Sequence, residues 1–239
     1  FHAPAGPVIG FEALLRWQHP KQGLLPPDLF LPLAEKTGLI IPIGNWVIDE
    51  ACRQLREWHL QGHTDWSMAV NLSTLQFEQP SLVKTVLDCL TRHSVPPGML
   101  ILEVTETTAM SNPDESVRVL TALTDAGVKA SIDDFGTGYS SLLYLKRLPA
   151  CELKIDRAFV KELSGESEDA TIVSAIIALA KTLNLKVVAE GVETAAQQTF
   201  LTELGCNTLQ GYLLGKPITA QAIMEQCQHG EMSPSRMQS

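Results

Sequence analysis

The feature that most limits how this chain can fold is a repeat of short apolar runs, each followed by an amphipathic segment. The runs begin near residues 8, 66, 99, 128, 152, 186 and 208. Short runs rich in Val, Ile and Leu read as strands, and the intervening segments, apolar at three- and four-residue spacing, read as helices. Strands that alternate with helices need crossover connections, which makes the sheet parallel and the fold class α/β. Seven strands against the eight of a closed β/α barrel predict a TIM-like β/α barrel in which one element, the first strand, lies upstream of Phe1 or the barrel is incomplete.

Boundaries follow from helix and turn chemistry. Val8–Arg16 and Trp66–Leu72 read as strands, with helices over Leu29–Lys36, Gly44–Gly62 and Ser81–His93 between and after them. In the second helix Trp46, Val47, Ile48, Ala51, Leu55 and Trp58 form the apolar side, so both tryptophans are expected in the core. Met99–Val104 is a strand, Asn112-Pro113-Asp114 opens a helix that runs to Gly127, and Val128, Ala130 and Ile132 lead into the next strand. Helices over Tyr139–Arg147, Asp169–Leu183, Thr194–Leu204 and Thr219–Gln228 alternate with strands at Glu152–Asp156, Lys186–Ala189 and Thr208–Leu214. One domain is expected over 1–230, with 231–239 a polar, disordered tail.

Nearly every strand ends in a polar or charged residue: Glu12, Asn71, Glu103, Asp133 with Asp134, Lys154, Glu190 and Gln210. In a barrel of parallel strands the carboxyl ends open onto one face, so these positions converge. Adjacent Asp133 and Asp134, in the stretch SIDDFGTGYSSL (Ser131–Leu142), repel each other unless a cation or hydrogen-bond donors neutralise them. Carboxylates with one amide suit hard cations such as Mg²⁺ or Mn²⁺, whereas zinc prefers His and Cys. Two such ions about 3.5–4 Å apart are the usual clamp for phosphodiester hydrolysis. Lys154 would then position the water or neutralise a phosphate oxygen, and Arg16 offers a forked donor at the rim. Each residue alone has an ordinary reading as a turn, an edge lysine or a helix-cap neighbour, and only their recurrence makes a site.

Composition narrows the alternatives. A net charge of −9 without a Lys/Arg stripe argues against DNA or RNA binding, while an anionic ligand remains compatible if metals supply local positive charge. Five cysteines without CxxC spacing point to reduced core thiols in a cytoplasmic setting, and no apolar run is long enough to span a bilayer, although the parent protein can carry an inner-membrane anchor. His59 and His63 stand four apart like a zinc pair, but Gly62 ends the helix between them, so they read as a solvated helix end. Asp156 either faces the site or caps the next segment. Glu166, Glu168 and Asp169 read as a solvated loop and helix start.

The segments EALLRW (12–17), NLS (71–73), LEVTE (102–106), DDFGTGYSSL (133–142), LKID (153–156), AEGVET (189–194) and LQGYLLGKP (209–217) resemble the EAL domain family, the phosphodiesterases that linearise cyclic di-GMP in bacterial signalling. The resemblance runs from about Val8 to Pro217. It implies Glu12, Asn71, Glu103 and Asp133 as ligands of one metal, Asp133 and Asp134 serving a second, with Mg²⁺ or Mn²⁺ as the pair of ions. It implies Lys154 as the residue holding the nucleophilic water and Glu190 as an essential carboxylate, either general base or metal-associated. Glu193 and Gln210 match substrate or supporting positions, Leu14 and Arg16 match substrate contacts, and Glu106 matches the residue that tethers the Asp-Asp loop. The implied product is linear pGpG, the implied assembly a homodimer, and an upstream sensory or diguanylate cyclase domain is expected in the parent. Family members that have lost ligands act as cyclic di-GMP receptors or interaction domains; here every ligand position is filled.

Overall fold

The computed structural model describes residues 1, 3, 7–138, 142–163 and 167–228. The chain begins with β1 (Gly10–Glu12), a hairpin of β2 (Trp17–His19) and β3 (Gly23–Leu25), α1 (Leu31–Thr37) and α2 (Ile40–Leu60). It continues through β4 (Ser67–Leu72), α3 (Thr74–Phe77), α4 (Leu82–His93), β5 (Leu100–Thr105), α5 (Glu106–Ser111), α6 (Pro113–Asp125) and β6 (Lys129–Phe135). Then come α7 (Leu142–Leu145), β7 (Glu152–Ile155), α8 (Arg157–Lys161), α9 (Glu168–Thr182), β8 (Lys186–Ala189), α10 (Ala195–Glu203), β9 (Thr208–Leu209) and α11 (Ala220–Gln228). The class is α/β, and each of the strands located in the sequence is present.

By compactness the chain forms two units. One holds Gly10–Val104 with Arg118–Lys129; the other holds Phe1–Ile9, Thr105–Val117 and the chain from Ala130 onward.

In the first unit β1 pairs in parallel with β4, and β4 with β5. Helix α2 turns Ile48, Ala51, Cys52, Leu55 and Trp58 inward at helical spacing and packs on β4 and on α4, which buries Val86, Cys89 and Leu90. Each large side chain removed from water in this way contributes about 1.5–3 kcal/mol. Trp58 joins Phe11 and Trp66 in an aromatic cluster with centroid separations of 4.9 and 5.5 Å. Trp46 is a correction to the sequence reading: it is 57% exposed, because two residues along a helix turn it about 200° away from buried Ile48.

The strand expected over Val8–Arg16 is also shorter than predicted. Ala13 N–H still bonds Ala69 O at 2.9 Å, but the chain then leaves the sheet for the β2–β3 hairpin, whose turn is closed by Lys21 and Gln22 N–H donating to His19 Nδ1.

In the second unit β6 pairs in parallel with β7, β7 with β8, and β8 with β9. Helix α9 lays Val173, Ile176, Ile177 and Ala180 inward and packs on β7 and β8. Side-chain caps set the helix starts: Ser167 on Ala170 N–H, Asp156 on Ala158 N–H, Thr194 on Gln197 N–H.

The strand expected over Thr208–Leu214 stops at Leu209. A Cβ on Gly211 would lie 2.2 Å from the backbone N and O of Val192, and the chain turns there, with Leu214 N–H bonding Gly211 O. Of the helix expected over Tyr139–Arg147 the described part is α7; residues 139–141 lie outside the described residues, as do Glu166 and the 231–239 tail.

Cys52, Cys89 and Cys206 are core residues as expected, whereas Cys151 and Cys227 are half-buried. Burial pushes the Cys52 thiol up to about 12 and those of Cys89 and Cys206 to about 11, which leaves them protonated and unreactive at neutral pH.

Candidate active site

The strand ends of the first unit bring three of the predicted residues together. Register places Asn71 opposite Glu103 and Ala69 opposite Glu12. Asn71 Nδ2 donates to Glu12 Oε1 at 2.6 Å, so the amide oxygen is turned to accept elsewhere. Glu103 is buried beside it on β5. Leu14 and Arg16 are exposed in the loop after β1, where the Arg16 guanidinium bonds the Leu15 carbonyl at 2.8 Å.

The second unit builds its part around Lys154. This lysine is 2% exposed on β7, and its Nζ lies 3.3 Å from Asp133 Oδ2 and 2.5 Å from Glu190 Oε1. A buried ammonium is costly unless paired and hydrogen-bonded, and these carboxylates from β6 and from the end of β8 supply the pairing.

The β6–β7 register slips between Ile132 and Phe135, and Asp134 there takes a left-handed backbone with φ 53°. Such an irregularity re-aims the side chains it carries. Asp133 Oδ1 accepts from Asp134 N–H at 2.8 Å, and Thr137 Oγ1 donates to Asp134 O at 2.8 Å, fixing the distorted turn.

Burial, then the adjacent charge of Asp133 and a hydrogen bond with Asp156, push the Asp134 carboxyl up to about 6. Asp156 thus serves both roles that the sequence left open, since its Oδ1 also accepts from Ala158 N–H at 2.7 Å to cap α8.

Three acidic side chains pressed together with one of them tending to hold a proton form a donor set that a hard divalent cation would relieve. Glu12, the Asn71 amide oxygen and Glu103 are donors of the same oxygen chemistry. Among the described residues no three His, Cys, Asp or Glu side chains stand in a ready coordination cluster, so the fit rests on donor type.

Glu106, buried at the start of α5, accepts from Gly136 N–H at 2.8 Å through Oε2. A Cβ on Gly138 would come 2.8 Å from the other carboxylate oxygen, so glycine lets the loop after Asp133-Asp134 lie directly on Glu106. The loop after β8 is held from several sides. Glu190 N–H bonds Ile155 O at 3.2 Å, Val192 N–H bonds Gln210 O at 3.0 Å, and Gln210 N–H bonds Ala189 O at 2.9 Å. Gln210 itself is half-buried just past β9, and Glu193 is exposed.

The sequence reading does not single out Gln197 of α10, yet its side-chain amide bonds the backbone of this loop and of α8. The signal that would have found it is Thr194-x-x-Gln197, a capping box. His59 and His63 differ from expectation as well. The His63 ring stacks on Trp66 at 3.9 Å, and His59 Nε2 lies 3.3 Å from Trp66 O, so both belong to the aromatic cluster.

In each unit parallel strands with helical crossovers carry acids at their ends, joined by one amide in the first unit and one buried lysine in the second, which is the chain pattern of a TIM-like β/α-barrel protein. The EAL domain profile matches residues 1–217, and the chain belongs to the EAL domain family. It is 65% identical over 222 residues to the bifunctional diguanylate cyclase/cyclic di-GMP phosphodiesterase MucR of Pseudomonas aeruginosa, covering 93% of this chain and 32% of MucR. It is 48% identical over 220 residues to the cyclic di-GMP phosphodiesterase NbdA of the same species, covering 92% of this chain and 28% of NbdA. The chain therefore spans about a third of the length of these relatives. The solved structure of the PaMucR phosphodiesterase in complex with c-di-GMP superposes with a TM-score of 0.91 at 65% identity, covering 93% of this chain and 90% of that one.

Proposed function

We propose that this domain is a metal-dependent phosphodiesterase that hydrolyses cyclic di-GMP to linear pGpG. The observation that carries the reading is Lys154, buried and ion-paired to Asp133 and Glu190 at neighbouring strand ends, in a domain 65% identical to a protein named for this activity. Divalent cations, Mg²⁺ or Mn²⁺ and two per site, would be held by Glu12, Asn71, Glu103, Asp133 and Asp134; when bound they neutralise phosphate charge and lower the pKa of water.

The chain's own residues do the rest. Lys154 holds the attacking water, and its ion pairs to Asp133 and Glu190 keep the ammonium in one place. Glu190, hydrogen-bonded to Lys154, is the carboxylate available for the proton the water gives up. The water oxygen bonds to phosphorus, the bond from phosphorus to the ribose 3′ oxygen breaks, and that oxygen leaves with a proton as a 3′-hydroxyl. The product is opened at one phosphodiester and keeps a 5′-phosphate. Arg16, Leu14, Glu193 and Gln210 are the residues proposed to contact or orient the nucleotide, and Glu106 supports the loop after Asp133-Asp134. A homodimer and a diguanylate cyclase or sensory module in the parent protein belong to the same reading, the cyclase supported by the bifunctional name of MucR.

Product analysis tests the proposal. Incubation with cyclic di-GMP and Mg²⁺ or Mn²⁺ is expected to yield pGpG, a chelator to abolish it, and Glu12→Ala to remove turnover while leaving nucleotide binding measurable by calorimetry. Binding without any product from the unaltered chain would instead make the domain a receptor.

A further inference from the structure

We propose that Gln197 is a positioning residue that sets the Glu190 loop against Lys154; the inference rests on the phosphodiesterase reading. Gln197 lies in the first turn of α10 and is 5% exposed. Its Oε1 accepts from the backbone N–H groups of Glu193 and Thr194 at 2.8 and 2.9 Å. Its Nε2 donates to Val160 O at 2.8 Å and Lys161 O at 3.1 Å, the carbonyls at the far end of α8. A side-chain amide carries one acceptor and two donor hydrogens, and here both ends are engaged.

An ordinary capping box needs only the bond back to the N-cap N–H. The second half of this amide reaches a different helix. Helix α8 is capped by Asp156, two residues after Lys154, and the loop that Gln197 grips starts at Glu190. One buried amide therefore ties the segment following the lysine to the segment following its carboxylate partner. Gly191 tightens the same junction: it has φ 69°, and a Cβ there would lie 2.7 Å from Arg157 Cβ. With the loop fixed on α8, the Glu190–Lys154 separation of 2.5 Å is a property of the scaffold and not of two mobile side chains.

The decisive variant is Gln197→Glu, which keeps the acceptor for Glu193 and Thr194 N–H but turns an anionic oxygen toward the two α8 carbonyls. Gln197→Met, of similar volume and without either function, guards against a folding artefact, and Thr199→Ala on the exposed side of α10 is the control. For both Gln197 variants kcat is expected to fall by about tenfold to a hundredfold, the scale of an ångström of misplacement at a reacting group, with KM changed less than about threefold. Amide hydrogen exchange across 190–194 is expected to accelerate while the last turns of α10 stay protected. A purely structural role would lower the melting temperature and leave kcat per folded molecule unchanged, and that result overturns the proposal. Exchange in 190–194 unchanged by Gln197→Met overturns it too. If the unaltered chain fails to open cyclic di-GMP the functional reading falls on its own, and the exchange measurement still decides whether Gln197 holds the Glu190 loop.

Discussion

Lys154 is the residue on which the second unit's electrostatics turn, because its charge is buried and answered by two carboxylates. Deleting one partner of such a set strands the others. Lys154→Met is expected to destabilise the fold by about 3–5 kcal/mol, the cost of an uncompensated buried charge, and to remove turnover; urea unfolding and product analysis read the two effects separately. At this scale the sequence was informative where a residue type is unusual for its setting. Glu12, Asn71, Glu103, Asp133, Lys154 and Glu190 each follow an apolar run that would otherwise continue, and a polar residue at such a place is a signal. Gln197 is not legible because a glutamine early in a helix is unremarkable until its second hydrogen-bonding partner is known, and that partner, the end of α8, is 36 and 37 residues away in sequence. Trp46 went wrong for the opposite reason: aromatic residues near an apolar stripe look alike whichever side of it they stand on.

At the scale of elements, the strands were legible because buried parallel strands are continuous apolar runs. The hairpin of β2 and β3, only three residues a strand and mostly exposed, leaves no such run. Short helices such as α3, α5 and α8 are set by caps more than by periodicity and are too brief to show an apolar repeat in the sequence. The contact of α2 with α4 shows how a surface latch adds to apolar packing: Asp49 on α2 accepts from Arg92 at 2.6 Å and His93 at 2.9 Å at the end of α4. Burial works to raise the Asp49 carboxyl, but the His93 hydrogen bond and charge, with Arg92, outweigh it and hold the group below its ordinary value. A carboxyl lowered in the folded state stabilises above its unfolded pKa and loses that contribution as pH falls through the folded one. Asp49→Asn is therefore expected to lower stability at neutral pH, with the gap to the unaltered chain closing as pH falls through the acid range; urea melts at neutral and acid pH check the sign.

For the molecule as a whole, the net charge of −9 would make a cluster of carboxylates at the strand ends an added burden, yet the second unit contains its own remedy. Lys154 is a cation supplied by the chain, built into the core and already paired. Folding then does not wait for a metal, unlike domains whose binding energy is their folding energy. Scanning calorimetry in excess chelator is expected to show a cooperative transition, shifted down only by the ligand-linkage amount of a few kcal/mol, with activity restored on adding Mg²⁺ or Mn²⁺; loss of the transition would contradict this. Assembly and activation become separate events in the protein's life. On the proposed reading the chain would fold and persist in a metal-poor interval, and the amount of working enzyme would then follow ion supply with no change in protein abundance.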